Sequence, residues 1–178
     1  LAYPISRYVG IPSIDKQYSE DLRASMFLNH RINDQWQMQV AGTTLYIPVH
    51  VSGALFSVGD AHAGQGNGEV SLAALETVLS GVFRFNVRKG ERLLWPRAET
   101  PTHFMTMGFD ENLDVAIRTA LRGMIDFLGE RYKLSREDAY LLASDAVDFS
   151  ITQLVDGKRG VHAMIPKSIF QRQSLRHQ

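Results

Sequence analysis

The sequence contains no cysteine. That absence excludes a disulfide framework, a thiolate-bound metal and a cysteine nucleophile. A reducing cytoplasm is then the default expectation for its compartment. Neither sign of charge is in excess: 19 Lys and Arg stand against 19 Asp and Glu, a formal net charge of +0. No nucleic acid is expected as a partner, because such binding draws its affinity from clustered cations that release counterions. Long apolar runs are missing too, and none approaches the roughly 18 residues that a membrane span needs. The opening LAYPISRYVG has neither the basic start nor the apolar stretch of a signal peptide. Leu1 in place of Met reads as a trimmed or incomplete chain. Internal repeats and low-complexity tracts are absent, as are a G-x-S-x-G elbow and an H-E-x-x-H pair. What remains is an ordinary globular composition, 44% hydrophobic and 21% charged, over 178 residues. One domain with a real core is expected.

The first 40 residues give little pattern beyond a short helix over 19–29, with Ser19 as its cap. Residues 44–51 alternate apolar and polar side chains, the mark of a half-buried strand. Pro48 removes a ladder donor there and predicts an edge position. A second alternation, 82–88, predicts another strand turned by Lys89-Gly90. Residues 69–79 are ambiguous, with strand favoured for the first half. A further strand is expected around 103–107.

Helical spacing then takes over. Leu113, Ile117, Leu121, Met124, Ile125 and Leu128 share one face, with Asp110 or Asn112 as cap and Gly129 as the stop. Ser135-Arg136-Glu137-Asp138 opens a second helix, with Ser135 capping the amide three residues on. Helices are thus expected near 111–130 and 135–148, and Asp148 at the end of the second calls for a cationic partner. Asp156-Gly157 and Gly160 predict the turn of a final hairpin. The tail after Phe170 is polar and expected to fray. The fold class expected is α+β, a mixed or antiparallel sheet with both helices on one side.

The segment richest in chemistry runs from Gly59 to Glu69. Four of its glycines, Gly59, Gly64, Gly66 and Gly68, permit a tight backbone around Asp60, His62, Gln65, Asn67 and Glu69. In extended chain Asp60 and His62 leave the same face, half of a site for Zn²⁺ or a similar ion. Glu69 can return as a third ligand or as a base. The glycine spacing does not fit a dinucleotide fingerprint, and no Lys-Ser/Thr follows to make a phosphate loop. A second polar connector, 96–103, is stiffened by Pro96 and Pro101 and carries Arg97, Glu99, Thr100, Thr102 and His103. Its stiffness suits a substrate pocket. His162, in the last hairpin, reads as a packed side chain rather than a ligand.

These segments together resemble the acetamidase/formamidase family. The resemblance rests on G-T-T-L-Y-I-P-V-H-V from Gly42 and on G-D-A-H-A-G-Q-G-N-G-E from Gly59. It continues through W-P-R-A-E-T-P-T-H from Trp95, M-G-F-D from Met107, L-S-R-E-D-A-Y from Leu134, T-Q-L-V-D-G from Thr152 and G-V-H from Gly160. It covers residues 41–170, leaving 1–40 as a poorly matched segment and 171–178 as a tail. The resemblance implies hydrolysis of short aliphatic amides to a carboxylate and ammonia. It implies a divalent metal, zinc first and calcium as a second ion, held by Asp60, His62 and Glu69. Glu69, Glu99 and His103 would be catalytic, and Gln65 and Thr100 would contact substrate. Asn67 stands where the family usually has Asp. The family's β-rich N-terminal half is missing or altered, with Asn33-Asp34 as a faint echo of its Gly-Gly-Asn-x-Asp segment. A competing reading follows, of an inactive truncated paralogue acting as a metal-binding or assembly module. The edge strand with Pro48 further suggests a homo-oligomer.

Overall fold

The computed structural model describes residues 42–50, 62–78 and 82–170. Within them the strands are β1 (Thr44–Tyr46), β2 (His62–Gly64), β3 (Leu75–Glu76), β4 (Arg97–Glu99), β5 (His103–Asp110), β6 (Asp148–Gln153) and β7 (Arg159–Pro166). Two helices, α1 (Leu113–Tyr132) and α2 (Arg136–Ala146), join β5 to β6. Five strands form one sheet in the order β1-β4-β5-β7-β6, and β2 and β3 pair separately. All pairings within the large sheet are antiparallel. This is the α+β arrangement expected.

Strand alternation divides the sheet into two faces. Phe104 on β5 and Val161, Ala163 and Ile165 on β7 pack against Ala116, Ala120, Met124 and Leu128 of α1 and Ala139 of α2. Their neighbours Met105, Met107 and Phe109 on β5 and Met164 on β7 form a second cluster on the other face, with Ala98, Leu45 and Trp95. Both helices therefore cover one side. Helix α1 lies unusually close to β5 because small residues meet there. A Cβ built on Gly108 would come within 2.2 Å of the Ala116 carbonyl oxygen. Beside it, the buried Thr106 hydroxyl donates to the Ala120 carbonyl at 2.8 Å.

The helix signals act largely as their chemistry dictates. Asn112 accepts from the amides of Asp114 and Val115, and Ser135 from that of Asp138. Gly129 does not end α1. The helix runs one turn further to Tyr132, whose ring stacks on Phe170 at 3.8 Å and meets the edge of Phe104. That aromatic contact rewards the extra turn, and Lys133 takes the left-handed cap instead, its amide bonded to the Gly129 carbonyl. Helix α2 stops at Ala146, so Asp148 opens β6 rather than closing the helix. The final hairpin forms with Asp156 and Gly157 both at positive φ.

Three strand expectations need correction. The 44–51 strand ends at Tyr46, just before Ile47-Pro48, though among the described strands β1 does lie at the sheet edge. Among the described residues 82–88 form no strand, and Val82, Phe85 and Val87 are exposed rather than half-buried. Lys89-Gly90 nevertheless turns, with Gly90 at φ 83°. In 69–79 the first half is a turn, and the strand lies later, at Leu75–Glu76. One strand was not anticipated: Arg97–Glu99, part of the proline connector, pairs between β1 and β5. The 19–29 helix and the tail after Phe170 lie outside the described residues.

Candidate functional site

The glycine-rich loop leaves β2 at Gly64 and docks on the edge of the large sheet. The Gly68 amide donates to the Thr152 carbonyl at 3.1 Å, and the Leu154 amide donates to the Gly68 carbonyl at 2.8 Å. Gly68 has a φ of 95°, a conformation that favours glycine. Glu69 follows at φ 42°, uncommon for a residue with a side chain. Two turn bonds hold it there: its amide to the Gly66 carbonyl at 3.2 Å, and the Leu72 amide to its own carbonyl at 3.0 Å. Backbone strain of this kind persists where the surroundings fix it, and it aims the Glu69 carboxylate inward, where it is buried.

His62 and Glu76 are paired across β2 and β3. The buried His62 ring has its Nδ1 2.8 Å from the Gln65 side-chain oxygen. An amide oxygen only accepts, so Nδ1 carries the proton. Its Nε2 lies 3.1 Å from a Glu76 carboxylate oxygen. In a neutral ring these are two acceptors facing each other, a contact that calls for a proton or a cation between them. One ligand atom each of His62, Glu69 and Glu76 lies within 4.8 Å of the other two. An imidazole and two carboxylates, with the second ring nitrogen fixed by Gln65, is a donor set that suits Zn²⁺. It suits Ca²⁺ less, since that ion takes oxygen ligands. Among the described residues no second group of three such ligands occurs.

The structure thus brings together His62, Gln65 and Glu69 and adds Glu76, which the sequence reading missed. Its signal was only the pairing partner of His62, invisible while 69–79 was ambiguous. Asp60 lies outside the described residues.

The other expected site residues gather elsewhere, around the β4–β5 turn. Thr100 is buried, and its hydroxyl oxygen accepts from the amides of Thr102 and His103 at 3.2 and 2.8 Å. With Pro101 inside the turn, this closes the hairpin. Glu99 bonds Lys167 at 2.7 Å and accepts from the Tyr46 hydroxyl at 3.2 Å. Burial pushes its carboxyl up, but Lys167, Tyr46 and Arg131 outweigh that and hold it below the ordinary range. His103 Nδ1 meets the Thr102 hydroxyl at 2.8 Å. Burial lowers the pKa of its imidazole, against the pull of Asp148 and with the help of Lys167. His162 is buried as expected, its Nδ1 2.6 Å from the Thr152 hydroxyl.

A profile described as the Acetamidase/Formamidase family matches residues 33–172. Three solved structures are similar. The chain is 36% identical to an acetamidase from Bacillus halodurans, with a TM-score of 0.63 over 72% of this chain and 44% of that one. It is 27% identical to an acetamidase from Yersinia enterocolitica, with a TM-score of 0.69 over 95% and 51%. It is 25% identical to a predicted acetamidase/formamidase from Thermoanaerobacter tengcongensis, with a TM-score of 0.67 over 96% and 56%. The chain therefore spans about half the length of these structures. No curated protein matches it. Among the described residues no helix is long and apolar enough to cross a membrane.

Proposed function

The chain belongs to the acetamidase/formamidase family, and we propose that it hydrolyses short aliphatic amides at a metal centre held by His62, Glu69 and Glu76. The observation that carries this reading is the convergence of one imidazole and two carboxylates, two of the three buried, on a strained glycine-rich loop. An amide resists water because its nitrogen lone pair delocalises into the carbonyl. A bound zinc ion supplies Lewis acidity there, polarising the carbonyl oxygen and lowering the pKa of water towards about 7.

The protein's own groups do the rest. Gln65 holds the His62 ring in one tautomer, with its Nε2 lone pair facing Glu76. Glu69 presents two oxygens, one to hold the cation and one to take the proton of the attacking water. It then returns that proton to the departing ammonia. Burial of Glu69 keeps bulk water from competing for that proton. Asp60, two residues before His62, is a further candidate ligand. Glu99 and His103, held around the β4–β5 turn at the other end of β7, are assigned no part in this step.

The test is ammonia release from formamide and acetamide before chelation, after it, and after zinc is restored. Loss and recovery of turnover, with none in folded His62→Ala, is expected. Turnover indifferent to both would overturn the mechanism. The alternative reading is a metal-binding module without turnover. Bound zinc with no hydrolysis across a panel of amides would select it. The edge position of β1 among the described strands is the support for proposing self-association, and a strictly monomeric mass in light scattering would contradict that.

A further inference from the structure

His162 is the buried polar group that this chemistry leaves unused. It lies on β7 opposite Met107 of β5 and Ser150 of β6, on the sheet face away from the helices. Its ring is nearly inaccessible, and Nε2 has no hydrogen-bond partner among the described residues. Burial pushes the imidazole down to about 4, so the ring is neutral at ordinary pH. Among the described residues its one polar contact is Nδ1 to the Thr152 hydroxyl. Thr152 in turn is the residue whose carbonyl receives the Gly68 amide, immediately before Glu69.

Thr152 also sits where the β6–β7 register slips, between Ile151 and Gln153. A bulge leaves a residue outside the regular ladder, so its orientation needs another restraint. The short bond to His162 supplies one from the core of the sheet. Further support comes from Gln153, which bridges Gly68 and donates its side-chain amide to Asp156.

We propose that His162 is a positioning residue: through Thr152 it fixes the docking point of the Gly68–Glu69 turn and so the direction of the Glu69 carboxylate. The link to metal binding rests on the function proposed above, whereas the anchoring of the turn does not.

The test uses the full chain and four substitutions. His162→Gln removes the group at the Nδ1 position, and His162→Asn retains one there while discarding Nε2. Thr152→Val removes the hydroxyl at nearly constant volume, and Thr152→Ser keeps it. In metal-free protein, exchange of the Gly68 and Leu154 amides should quicken about tenfold in His162→Gln and Thr152→Val. It should stay near parent in His162→Asn and Thr152→Ser, and helix α1 amides should not change. Zinc affinity, read by chelator competition, should weaken about 10- to 100-fold in the first pair alone. Unchanged exchange at Gly68 and Leu154 in folded His162→Gln and Thr152→Val overturns the proposal. So does a rise spread evenly over the chain, or no rescue by Asn and Ser. If the parent binds no zinc while the exchange pattern holds, the metal reading fails and the anchor stands.

Discussion

Gly108→Ala places a methyl group 2.2 Å from the Ala116 carbonyl oxygen, 2.6 Å from the Ala120 nitrogen and 2.9 Å from the Thr119 Cβ. The first two are helix backbone, which cannot rotate aside. Relief requires α1 to back away from β5 by roughly 1 Å, enough to forfeit much of the local van der Waals contact. That movement also pulls on the buried bond from Thr106 to the Ala120 carbonyl. Overpacking of this kind costs about 1–3 kcal/mol, and the weakened bond adds about 1 kcal/mol. A loss of about 2–4 kcal/mol is expected, a large part of the 5–15 kcal/mol or so that a domain possesses. In urea, with a slope of about 2 kcal/mol per molar, the unfolding midpoint should fall by about 1–2 M. Gly123→Ala is the internal control. The atoms nearest its added Cβ belong to the Thr106 side chain, at 3.4 Å and beyond, and alanine improves helix propensity by about 1 kcal/mol. A midpoint for Gly108→Ala equal to the parent's, or below-parent stability only in Gly123→Ala, would refute the close-approach reasoning.

Two further predictions concern acid. Folded His162 titrates at about 4, while an unfolded histidine titrates near 6.5. Between these values the unfolded chain holds a proton that the folded chain lacks, so stability falls as pH drops through that window, by up to about 3 kcal/mol. Urea midpoints from pH 7 to 4 should fall less steeply in His162→Asn than in parent, and parallel profiles would contradict this. Glu99 has a lowered carboxyl pKa in the folded state, so its contribution is present above the ordinary carboxylate range and is lost as pH falls through the lowered value. The thermal midpoint of Glu99→Gln should be less sensitive to pH below the usual 4.5 than the parent's. An equal loss in both would show that the Lys167 pair contributes nothing there.

The parts of the fold legible in the sequence were those set by local chemistry. Asn112, Ser135 and Asp156-Gly157 act through bonds to neighbours a few residues away, and each does what its side chain permits. The misreadings were of features set by distant partners. Residues 82–88 alternate as well as any strand, yet pairing is a property of two segments. Gly129 is a plausible stop, but the ring of Phe170, some forty residues on, extends the helix beyond it. The candidate site divides in the same way. His62, Gln65 and Glu69 share one loop and were visible as a cluster. Glu76 joins them only because β2 pairs with β3, and Glu99 is held by Lys167, 68 positions away.

Whether zinc binds at this cluster can be read from anomalous diffraction of crystals grown with zinc, recorded on both sides of its absorption edge. One strong site is expected among the His62 Nε2 and the Glu69 and Glu76 carboxylates, lost in His62→Ala. A peak elsewhere on the chain, or none beside these three residues at saturating zinc, would contradict it.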